Sequence, residues 1–205
     1  MSTIDDEEAG LRTRKKLETR AALSAAALRL AQEHGLDNVR VDDIAAAANV
    51  SPRTYNNYFS SREQAICVAL ATERTLRAGA ALRAITMDDR LEQALPRTII
   101  DVYGEEPDTA TVELVNSAPA LRREYVQTLV AIDNRLAEVI APRTGSDSLA
   151  PRVIAAAITN ALRIAMEDWL AAETSVALTD LLSGCLAPLF PALHALDHNL
   201  PKGRR

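Results

Sequence analysis

Between residues 150 and 172 apolar side chains return every three or four positions: Val153, Ile154, Ala157, Ile158, Ala161, Leu162, Ala165, Met166 and Trp169. That spacing gathers them on one side of an α-helix, whereas a strand would need them at alternate positions. The face is wide enough to serve a core and a partner together. The apolar residues of the whole chain are mostly Ala and Leu, both strong helix formers, and β-branched runs are scarce. An all-α protein of about nine helices is therefore expected. Period and punctuation place them near 14–34, 41–48, 52–59, 60–82, 90–103, 109–117, 119–140, 150–172 and 176–196, the last interrupted by Pro188 and Pro191.

The chain has 205 residues, 48% of them hydrophobic, enough to bury one large core or two small ones. No stretch reaches the roughly 20 uncharged apolar residues of a membrane span. Residues 1–20 are polar and charged, unlike a secretory leader. Cys67 and Cys185 are far apart and suggest no disulfide framework, so a reducing cytoplasm is the expected compartment.

The net charge of −5 conceals an asymmetry. Residues 1–11 carry four acids, Asp5, Asp6, Glu7 and Glu8, and no base. Residues 12–62 carry nine bases against five acids, and the remainder is acidic again. A polyanion partner is thus expected for the first third of the chain.

That basic third also has a distinctive rhythm. A long helix ends at Gly35, a short one follows over 41–48, and Asn49-Val50-Ser51-Pro52 breaks the chain before a very short third segment, 52–59. Ser51 suits a helix N-cap and Pro52 the first turn. Ser60 and Glu63 have capping-box spacing for the long helix that comes next. Three such helices with a tight turn between the last two form a helix-turn-helix, whose final helix enters the DNA major groove. Within it Tyr55 and Phe59, four apart, form an inward face, while Pro52, Arg53, Asn56 and Asn57 point outward. Arg and Asn suit guanine and adenine edges. Thr54, Tyr58 and Arg62 have the chemistry for phosphates, and Arg40 stands at the start of the second helix, where a backbone can approach.

The stretch from Thr19 to Ile66 resembles the DNA-binding domain of TetR-family regulators. The shared features are Asp43-Ile44-Ala45, Val50-Ser51, and Thr54 through Tyr58-Phe59 to Ser61-Arg62-Glu63. The resemblance covers about a quarter of the chain. It implies groove contacts from Pro52, Arg53, Asn56 and Asn57, and phosphate contacts from Thr54, Tyr58 and Arg62. Asn56 departs from the aromatic usual there, which leaves the operator sequence open, and Ala31 stands where Phe is common. The resemblance further implies a repressor with a DNA-binding domain over 12–62 and a ligand-binding and dimerisation domain over 63–205. Its partners would be an operator duplex, a second copy bound through helices 150–172 and 176–196, and a small hydrophobic effector. Candidate lining residues for that effector are Tyr103, Asn116, Tyr125, Asn160, Met166 and Trp169.

An enzyme has no support: there is no Gly-rich phosphate loop, nucleophile motif or metal-ligand cluster, and no cofactor is expected. His194 and His198 lie four apart, but no third ligand is near them in sequence. Cys67 is read as a buried thiol rather than a redox switch.

Overall fold

The computed structural model describes residues 3–144, 148–172 and 176–198; the side chains of 3–9 are not among them. Gly145 of the expected 142–148 loop, the side chains of Asp5 to Glu8 and the tail beyond His198 therefore lie outside the described residues. Among the described residues all regular structure is helical. The helices are α1 (Thr3–His34), α2 (Val41–Ala47), α3 (Pro52–Asn56), α4 (Arg62–Ala84), α5 (Leu91–Tyr103), α6 (Thr109–Asn116), α7 (Pro119–Leu129), α8 (Asp133–Ile140), α9 (Ala150–Ala171), α10 (Leu178–Leu186) and α11 (Phe190–His198). Short 3-10 turns occupy Leu36–Asn38, Ala141–Arg143 and Ala187–Leu189.

The chain forms two compact units. One comprises Met1–Ala71 and Ala110–Tyr125, the other Thr72–Thr109 and Val126–Arg205. The 12–62 segment lies wholly in the first, which takes in further residues from the middle of the chain.

In the first unit α1 buries Leu23, Ala26, Ala27 and Ala31, a stripe against which α2 packs through Ile44 and Ala45. Leu30, expected in that stripe, is only half-buried, and Val41 and Ala48 of α2 are half-buried too. The helix begins well before the expected Arg14 because Glu, Ala, Leu, Arg and Lys all favour helix and no proline intervenes, Gly10 being carried within it. It ends at Gly35, whose φ of 78° and ψ of 151° fall in a region open essentially to glycine alone.

In the second unit α9 packs against α8 on one side and α10 on the other, burying Ala155, Ile158, Leu162, Ala165 and Met166. Two expected helices are divided. The 119–140 segment breaks between α7 and α8, where Val130 and Ile132 are both buried. Two residues apart, they would face nearly opposite sides of a continuous helix. A short bond from the Ile132 amide to the Val130 carbonyl (2.7 Å) marks the break. The 176–196 segment splits at the turn containing Pro188, as the prolines indicated. By length and mean hydropathy 178–198 is apolar enough to cross a membrane, but it carries Asp180 and Asp197 and consists of these separate pieces.

The start of α5 is capped from far along the chain. The Asp197 carboxylate of α11 accepts from the amides of Leu91 (2.9 Å) and Glu92 (3.0 Å). Beside it Arg143, only 3% exposed, donates to the carbonyls of Thr86 (2.7 Å) and Asp89 (2.5 Å), with Nε 3.9 Å from Asp197. One carboxylate thus satisfies two helix-end donors and faces a buried guanidinium. Replacing Asp197 with Ala should lower unfolding free energy by about 3 kcal/mol, because a buried charge and two amides lose their partner. A urea midpoint indistinguishable from wild type would refute this.

Candidate nucleic-acid interface

The close of α2 is built from backbone bonds, and a side-chain cap then opens α3. Asn49 adopts φ 57°, a left-handed conformation that Asn tolerates better than most residues. The Val50 amide then donates to the Ala45 carbonyl (2.9 Å) and the Asn49 amide to that of Ala46 (3.1 Å), the paired bonds of a Schellman motif. Two residues on, the Ser51 hydroxyl accepts from the Thr54 amide at 3.1 Å and Pro52 opens α3. One helix is closed and the next opened within four residues.

The five residues of α3 cannot hold a helix unaided. What anchors them is Tyr55, fully buried, with its ring 5.7 Å from that of Phe59 and its hydroxyl donating to the Ser61 carbonyl at 2.7 Å. Burial, and then the charge of Glu63, push the Tyr55 phenol up to about 12. Opposite this anchor Pro52, Arg53, Asn56 and Asn57 are all exposed. Asn57 is the C-cap rather than a residue within the helix, so α3 ends earlier than the expected Phe59. Thr54 and Tyr58 are half-buried at the flanks, and the Thr54 hydroxyl shares a 2.9 Å bond with Ser51.

The outer residues of the set differ in role. Arg40 is exposed at the N-cap of α2, its amide donating to Asp43 at 3.3 Å. Arg62 is half-buried; its Nη1 donates to the Val39 carbonyl (2.8 Å) and its Nε to Glu63 (3.0 Å). It ties the entry of α2 to the start of α4. The cap of α4 is also one residue later than expected. The Ser61 hydroxyl accepts from the Gln64 amide (3.0 Å), while the Gln64 side chain accepts from the Ser60 amide (2.9 Å). Glu63 is released to pair with Arg62. Arg20 was missed from sequence altogether: its guanidinium lies 5.3 Å from the centre of the Phe59 ring, joining α1 to the inner face of the reading segment. No local spacing signals a pair separated by so much chain.

Of the six residues considered for an effector, Asn116 and Tyr125 belong to the first unit and the other four to the second. Tyr103 is buried and donates to the Leu129 carbonyl at 3.1 Å, and burial raises its phenol to about 12. Met166 is fully buried, Trp169 half-buried, and Asn160 exposed, accepting from Arg163 at 2.8 Å. A cleft of about 390 Å³ in the second unit, between α4, the loop after it and α8, is lined by none of the six. His194 pairs with Glu92 and stacks on His198 at 4.0 Å, and no group of three metal-ligating side chains occurs among the described residues. Cys67 is buried with its Sγ 3.6 Å from the Leu121 carbonyl, and burial drives its thiol far above the usual range, away from reactive thiolate.

Comparison with known proteins bears on both halves. The family model described as bacterial regulatory proteins, tetR family, matches residues 23–64, and that described as the MftR C-terminal domain matches 101–194. The chain is 31% identical over 204 residues to the HTH-type transcriptional regulator TcmR of Streptomyces glaucescens, covering 91% of this chain and 89% of that protein. Among solved structures, FadR of Thermus thermophilus, a repressor crystallised with lauroyl-CoA, aligns with a TM-score of 0.57 at 18% identity, over 91% of this chain and 97% of its own. RolR in complex with resorcinol aligns at 0.51 and 18% identity, over 92% and 98%. At such identity the structures speak for the fold only.

A neutral Tyr55 is favoured in the folded chain, so stability should decline as pH rises from 10 toward 12, where the unfolded phenol ionises and the folded one does not. Tyr55→Phe should cost about 1 kcal/mol at neutral pH through the lost hydroxyl bond and flatten that alkaline decline. Urea unfolding at stepped pH reads both effects, and an unaltered alkaline slope would count against them.

Proposed function

The chain belongs to the TetR family of bacterial transcriptional regulators, and from that premise we propose a homodimeric cytoplasmic repressor that a hydrophobic small molecule releases from a palindromic operator. The observation that carries the DNA half is the division of α3 into a buried Tyr55 side and an exposed Arg53/Asn56/Asn57 side. Arg53, Asn56 and Asn57 read base edges in the major groove, with Pro52 against it. Thr54, Tyr58 and Arg40 hold the phosphate backbone and set the register. Arg62 meets phosphate from a guanidinium already braced on Val39.

Dimerisation is supported by α9. Val153, Ala157, Asn160 and Ile164 fall on one helical stripe, and Val153 is 63% exposed and Ile164 38% exposed within a single copy. Phe190 of α11 is exposed as well, so the 150–172 and 176–196 segments present apolar surface for a second copy. Asn160 belongs to this partner-facing stripe rather than to an effector site. Tyr103, Met166 and Trp169, all of the second unit, stay as effector contacts, and their largely apolar surface favours a hydrophobic ligand. Two copies present their α3 segments to successive grooves, about 34–36 Å apart. Effector binding favours a dimer with a different separation, α4 carrying the change as an unbroken helix with residues in both units.

In gel-shift titration on operator DNA selected by the wild-type protein, Arg53→Ala with Asn56→Ala should weaken binding by about 30-fold or more, since each bidentate base contact contributes about 1–3 kcal/mol. Undiminished binding would remove α3 as the reading helix. Arg40→Gln should instead weaken all sequences alike and reduce the salt slope by about one. Val153→Glu with Ile164→Glu should yield monomers in sedimentation velocity; a persistent dimer would place the interface elsewhere.

A further inference from the structure

The cleft of about 390 Å³ in the second unit has a charge distribution that the effector reading does not use. Three arginines line it: Arg143 is already engaged with Asp197 and the Thr86 and Asp89 carbonyls, whereas Arg83 of α4 and Arg135 of α8 converge on Gly79. The place a Cβ would occupy on Gly79 is 2.8 Å from Nη1 of Arg135 and 3.4 Å from Nη1 of Arg83. A Cβ at this position would push the Arg135 guanidinium aside. Two cations are brought close together, and among the described residues no carboxylate forms an ion pair with either. Glu138 lines the same cleft but is exposed and makes no such pair. Arg135 is held in place by donating to the Thr75 carbonyl at 3.0 Å, and Arg83 is exposed at the rim.

Like charges so placed repel one another, and an anion between them reverses the sign of that interaction. Guanidinium forks are suited to carboxylate and phosphate oxygens. Part of the wall is apolar: Leu82 is buried, Ile85 and Val139 are half-buried, and Met87 and Pro142 line it too, beside the polar Thr86 and Glu138. Cationic forks beside an apolar wall match a ligand with an anionic head and an apolar body.

We infer that this cleft binds an amphipathic organic anion, its carboxylate or phosphate head held by Arg83 and Arg135 over Gly79 and its apolar body lying along Leu82, Ile85 and Val139. The site is separate from the effector contacts named above and does not depend on them.

Calorimetric titration of the full chain, without DNA, with octanoate, octyl phosphate and 1-octanol tests it. At least one of the two anions should bind about tenfold or more tightly than the uncharged alcohol of the same chain length, and the tighter of the two identifies the head group. R83Q should bring the anion to the affinity of the alcohol with an unchanged melting midpoint, because Arg83 is exposed and makes no hydrogen bond or ion pair among the described residues. Gly79→Ala should do the same by displacing Arg135 while Arg83 is intact. Equal affinity of both anions and the alcohol for the wild-type chain would overturn the inference. So would R83Q binding the anion as tightly as wild type. Operator affinity of the same variants is measured separately, so failure to bind DNA would refute the proposed repressor and leave the cleft to be judged by its own titration.

Discussion

The DNA-facing half depends on a single side chain. A helix as short as α3 has no intrinsic stability, since nucleation costs more than a few hydrogen bonds return. It exists because Tyr55 is fully buried, its hydroxyl reaching the Ser61 carbonyl and its ring lying beside Phe59. With that side held, Arg53, Asn56 and Asn57 have no direction available except outward. The exposure needed for base readout is thus a consequence of how firmly the opposite face is fastened.

Around this anchor the structure satisfies backbone donors with little material. A left-handed Asn49 closes α2, Ser51 opens α3, and Ser61 with Gln64 opens α4. Arg62 and Arg20 then tie the segment to the chain before it, one through the Val39 carbonyl and the other across the Phe59 ring. Rigid presentation of a reading face suits recognition, because groove contacts gain specificity when no ordering cost remains to be met on binding.

The second unit solves a different problem. Its helices are held by apolar contact along α9, but its polar groups are managed at long range: Asp197 caps α5, and Arg143 gathers the Thr86 and Asp89 carbonyls. Arg83 and Arg135 are the exception, cations brought together with no ion pair to an acid among the described residues. A chain that pairs Arg143 so thoroughly and leaves these two facing one another is preparing a place for charge from outside.

Much was legible in residue order because it depends on neighbours a few positions apart. The three-and-four period of 150–172 gave α9, the prolines at 188 and 191 gave the division before α11, and the Tyr55/Phe59 spacing gave the two faces of α3. These are properties of local backbone geometry, and a short window contains their cause. Tertiary contact alone decided the rest. Burial of both Val130 and Ile132 broke an otherwise continuous helical pattern, and a carboxylate at 197 became the cap of a helix starting at 91. The meeting of Arg83 with Arg135 over Gly79 likewise has no counterpart in residue spacing. Contacts between distant segments leave no period in the sequence, because what positions them is the packing of whole helices and not the chemistry of adjacent residues.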